Sequence, residues 1–130
     1  MKKTLNEKIW YGVFMHHSYP VIAQEINSPD NHFRRWAAVY TMEHYLKRMD
    51  IIDLIEKGIG HHYLFIMVDI STEYIDIFHH SWDSDLYDRN IKMIYACAFD
   101  TEASLYEICE KLNVDPERFE ASWKVEYIFD

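Results

Sequence analysis

Glycine and proline are scarce in this chain, with three of each in 130 residues. Tight two-residue hairpin turns need positive φ, and no Asn-Gly or Asp-Gly pair occurs, so a meander of short hairpins is not expected. No stretch rich in glycine, serine or proline marks a linker and no fixed-period repeat is visible, so residues 1–130 read as a single globular domain. Cysteine is as rare. Cys97 and Cys109 are too few for a four-thiolate zinc site and read as reduced core residues, with a disulfide between them as the alternative that spacing leaves open. No apolar run, that from Tyr63 to Val68 included, approaches the roughly 20 residues that a membrane-spanning helix needs. Near the N-terminus, Lys2 and Lys3 precede an apolar stretch from Ile9 to Met15. It is broken by Gly12 and leads into His16 and His17 with no small-residue cleavage site, which does not fit a secretory signal. A soluble, cytoplasmic chain without a membrane partner is the expectation.

Positive charge is also in short supply. Thirteen Lys and Arg face 22 Asp and Glu, a formal net charge of −9. Residues 1–65 are balanced, with eight basic and seven acidic side chains, whereas residues 66–130 hold five against fifteen. A field of that sign repels nucleic acid and anionic lipid and accelerates encounter with a basic partner. It equally keeps an aromatic-rich protein in solution.

What the chain has in abundance is apolar and aromatic surface. The hydrophobic fraction is 49%, with seven Phe, ten Tyr and four Trp, enough for a core without disulfides. Apolar spacing predicts mainly α structure, a compact multi-helix domain. A first helix is expected from Asn6 to His16, burying Ile9, Trp10, Val13 and Phe14, and a short second one between Pro20 and Pro29. A central helix after Asp30 or Asn31 carries Phe33, Trp36, Ala37 and Tyr40 on one side and Ala38, Met42, Tyr45, Leu46 and Met49 on another. Asp50 can cap a short helix closed by Gly58. From His61 to His80, Tyr63, Met67, Ile70, Tyr74, Ile77 and Phe78 form a helical stripe. Asp69, Thr72, Glu73, Asp76 and His80 recur opposite it. A strand through residue 69 followed by a helix capped by Ser71 fits the same letters. Tyr87, Ile91, Ile94, Tyr95 and Ala98 suggest another helix ending near Asp100. One capped by Asp100 then buries Leu105, Ile108, Cys109 and Leu112 and closes at Asn113. Asp115 with Pro116 starts the last, with Phe119, Trp123 and Tyr127 pointing inward. The alternative architecture is α+β, with strands near 62–69 and 91–98.

No motif in the sequence carries an enzyme mechanism. Three His-His pairs, His16-His17, His61-His62 and His79-His80, invite a metal reading, with Glu73, Asp76 and His80 on one helical face. However, Glu-x-x-His and His-Glu-x-x-His are both absent, and no cofactor is implied. Asp83 and Asp85 match the first and third positions of a calcium loop, but Tyr87, Asp88 and Ile94 occupy positions that need other residues. The pair of helices expected from Thr101 to Phe129 has the wrong charge for DNA: Lys111, Arg118 and Lys124 stand among seven carboxylates. The remaining signal is acidic and aromatic. Asp69, Glu73 and Asp76 form one charged stripe, and Trp82, Asp83, Asp85, Tyr87 and Asp88 form a loop mixing charge for steering with rings for anchoring. Together they suggest a non-enzymatic protein binder, an immunity protein or antitoxin that masks a basic nuclease-type toxin. A metal-binding helical domain or metal-dependent enzyme, and a structural oligomeric subunit, are the alternatives.

Overall fold

The apolar run at Tyr63–Val68 forms the first six residues of a nine-residue β-strand. A computed structural model describes residues 4–16, 18–47, 61–77 and 90–127, and these build an antiparallel sheet of five strands with short helices. The strands are β1 (Val21–Ile26), β2 (Phe33–Thr41), β3 (Tyr63–Ser71), β4 (Ile91–Phe99) and β5 (Glu120–Ala121), in spatial order β4-β3-β2-β1-β5. The helices are α1 (Glu7–Trp10), continued by a π-helical turn at Tyr11–Met15, then α2 (Met42–Lys47), α3 (Thr72–Ile77) and α4 (Glu102–Leu112). The architecture is therefore α+β, and the mainly helical expectation is overturned.

The reason lies in the two-sided burial of the sheet. All nine residues of β3 are buried, and β2 is buried from Trp36 to Tyr40. One face of the sheet carries Val21, Ala23, Trp36, Ala38, Tyr40, Leu64, Ile66, Val68 and Ile70 against Met42, Tyr45, Tyr74 and Tyr127. The other carries Ile22, Ala37, Val39, Phe65 and Met67 against Leu5, Ile9 and Val13 from the N-terminal segment and Leu105, Ile108 and Cys109 from α4. A strand covered on both faces needs apolar side chains at every position, so the period-two signature vanishes and a helical period fits the letters as well. The central helix expected after Asp30 is thus β2 followed by α2, the helix expected between Pro20 and Pro29 is β1, and the one through Ile91 and Ala98 is β4. The stretch from His61 divides into β3 and α3, with Ser71 Oγ accepting from the Tyr74 N–H at 3.3 Å.

Glycine scarcity does not prevent antiparallel pairing, because the connections are long. β1 and β2 are joined through residues 27–32, where the Asp30 side chain accepts from the His32 N–H and the Asp30 carbonyl from the Phe33 N–H. β2 runs into α2 and β3 into α3 without a tight turn.

The termini fit the sequence better. Asn6 caps α1 by accepting from the Lys8 N–H, and of the four residues expected to be buried, Ile9 and Val13 are, while Trp10 and Phe14 are half-buried. α4 occupies the expected span with Thr101 rather than Asp100 as its cap, and Asn113 closes it in the left-handed conformation at φ 57°. The last helix does not form. Pro116–Arg118 and Ser122–Val125 are separate 3-10 turns on either side of β5, so Phe119 and Tyr127 are buried while Trp123 is 62% exposed. The helix expected between Asp50 and Gly58 lies outside the described residues. No described helix is long and apolar enough to cross a membrane.

Candidate functional site

The stripe of Asp69, Glu73 and Asp76 is not a single helical face. Asp69 belongs to β3, is 5% exposed, and accepts from Arg35 Nε at 2.6 Å and Nη2 at 3.0 Å. Glu73 is exposed in the first turn of α3, and Asp76 follows within the same helix. Trp82, Asp83, Asp85, Tyr87 and Asp88 lie outside the described residues, as do His17, His79 and His80. The other histidines are dispersed. His16 stacks on Tyr11, and His61 Nδ1 bonds Asp100 Oδ2 at 2.8 Å. Among the described residues, no group of three His, Cys, Asp or Glu side chains converges for a metal ion.

An acidic and aromatic constellation does form, from residues the sequence keeps almost a hundred positions apart. Leu5 and Ile9 of the N-terminal segment share one buried cluster with Leu105 and Ile108 of α4. This packing brings the Leu5 N–H to the Tyr106 hydroxyl at 3.2 Å. Tyr106 in turn donates to Glu102 Oε2 at 3.1 Å, one helical turn back on α4. Burial, reinforced by the bond to Glu102, pushes the Tyr106 hydroxyl up to about 12, so at neutral pH it keeps its proton and holds the carboxylate in place. Across from it, the exposed Glu7 opens α1. Trp10 and Tyr11 meet edge to face at 5.0 Å where α1 passes into the π-helical turn. That wider turn, closed by the His16 N–H on the Tyr11 carbonyl at 2.8 Å, leaves Tyr11 43% exposed.

The result is a surface pocket of about 490 Å³ lined by Thr4, Leu5, Glu7, Trp10, Tyr11, Glu102 and Tyr106. Two carboxylates beside three rings suit a cationic group, which gains Coulomb attraction from the former and the negative faces of the latter. Neither the residue types nor their spacing signals this site in the sequence, because it exists only where α1 meets α4. A second exposed ring, Trp123, stands edge-on to Tyr19 at 6.1 Å, on a turn flanked by the exposed carboxylates Glu120 and Glu126.

Comparison of the chain with known protein families, curated proteins and solved structures finds no match.

Proposed function

We propose that this chain is a stoichiometric binder of a basic protein, an immunity protein or antitoxin acting in the cytoplasm on a nuclease-type toxin. The observation that carries the reading is the pocket of Glu7, Glu102, Trp10, Tyr11 and Tyr106 on a chain of net charge −9. Such a pocket accepts a lysine or arginine side chain of the partner, and rings at the centre of an interface supply much of its binding energy. The surrounding negative field steers a positively charged cleft towards it and opposes the entry of nucleic acid. Glu73, exposed on α3 against the other face of the sheet, adds a further carboxylate, and Trp82, Asp83, Asp85, Tyr87 and Asp88 add to the acidic and aromatic character of the chain in this reading.

The immobilised chain should retain a basic protein from source-cell lysate at low salt and release it at high salt, and the purified chain should inhibit that protein's nuclease activity at a one-to-one ratio. Glu7→Gln with Glu102→Gln should slow association at low salt by about tenfold, and Asp83→Lys with Asp85→Lys should slow it as well. Recovery of no basic protein, or unchanged association rates in both double variants, would overturn the reading.

A further inference from the structure

Among the described residues the sheet ends at β4, whose two halves differ. On the side away from β3, no described strand pairs with β4. An open edge presents alternate N–H and C=O groups to any extended chain, and proteins guard such edges with lysine and with bulges. Here the first half of β4 carries one of these devices, a register shift opposite Met67 and Val68 that leaves Ile94 unpaired and exposed, while Lys92 reaches inward over the Phe33 ring. The second half, Tyr95 to Phe99, carries no charged side chain, and its three central residues, Ala96, Cys97 and Ala98, are small. Along this unguarded half runs a groove of about 480 Å³, with Cys97, Ala98 and Phe99 on one side and Ser104, Glu107 and Ile108 of α4 on the other.

The charge of the groove selects what can enter. The exposed carboxylates Asp100 and Glu107 both line it. Asp100 accepts from the His61 ring and from the His62 N–H at 2.9 Å. Among the described residues that line the groove, His61 is engaged by Asp100 and Lys111 lies over the Tyr95 ring, 5.4 Å from its centre. A second copy of the chain, at −9, would meet its own charge, whereas a basic segment finds carboxylates lining an apolar trough.

We propose that the edge of β4 from Tyr95 to Phe99, with the groove between it and α4, is a strand-addition site for an extended segment bearing lysine or arginine. Main-chain bonds to β4 would hold the segment, alternate side chains would enter the groove, and a cationic side chain would reach Asp100 and Glu107. The inference rests on the reading of a basic partner and names how that partner docks.

A nine-residue peptide of alternating lysine and valine is the probe, beside the same peptide methylated on alternate amide nitrogens, which keeps the charge and removes the ladder. Nuclear magnetic resonance of the intact chain should show the first peptide binding, with slowed amide exchange within Tyr95–Phe99. Affinity should fall at least tenfold on methylation, and should also fall in Glu107→Lys. Three results overturn strand addition: no binding, equal binding of the methylated peptide, or a concentration-dependent dimer that protects the same amides without peptide. Capture of a basic protein that leaves these amides unprotected would also overturn it, while the basic-partner reading would stand.

Discussion

Asp69 shows how a single residue can be misread from its neighbours. In the sequence it continues a run of carboxylates at helical spacing; in the fold it is the buried partner of Arg35 across the β2–β3 ladder. Lys92 is its register partner on β4, yet the Lys92 ammonium lies over the Phe33 ring at 4.3 Å, leaving the carboxylate to the guanidinium. Two bonds to one charged group, nearly sealed from water, make this pair costly to break from one side. Asp69→Ala should therefore destabilise the fold by about 2–3 kcal/mol, because Arg35 keeps its charge and loses its acceptor. Urea unfolding of Asp69→Ala, Arg35→Ala and the double variant measures this. A loss under roughly 0.5 kcal/mol in the first would place Asp69 among ordinary surface carboxylates.

Among the elements, α4 is the one the sequence spells out, because only one of its faces is covered. Leu105, Ile108 and Cys109 are buried at helical spacing while Glu107, Glu110 and Lys111 are exposed, and cap signals stand at both ends. Thr101 Oγ1 accepts from the Ser104 N–H at 3.2 Å and donates to Ser104 Oγ at 3.0 Å, fixing the first turn beside the β4 groove. Thr101→Ala should cost about 1 kcal/mol and Thr101→Ser much less, since serine keeps the acceptor. Equal unfolding midpoints for the two variants would show that the cap does not hold this turn. β2 and β3 lack any comparable signature. With helices on one face and α1 and α4 on the other, their letters satisfy a buried helix as readily as a buried strand, and hydrogen bonds to neighbouring strands decide between the two.

At the scale of the whole molecule, the buried acids set an alkaline limit. Burial, with a smaller effect from the Asp115 charge, pushes the Cys109 thiol up to about 12 from 9.0, and burial raises the hydroxyls of Tyr63 and Tyr74 as it does that of Tyr106. Above pH 9 the unfolded chain gives up protons that the folded chain retains, so it binds fewer of them and stability falls as pH rises towards 12. Urea midpoints should hold steady from pH 7 to about 8.5 and decline beyond it, with a shallower decline in Cys109→Ala. A flat profile to pH 10.5 would mean that these groups titrate freely in the folded state. The sequence by itself determined the acidic balance, an apolar content sufficient for a core, the span of α4 and an N-terminal helix that buries Ile9 and Val13, because each depends on local spacing or on a simple sum. The sheet, the burial of Asp69, the exposure of Trp123 and the pocket between α1 and α4 were decided only by tertiary structure. Each depends on which distant segments pack together, and covering the sheet on both faces erases the alternation that would have announced its strands.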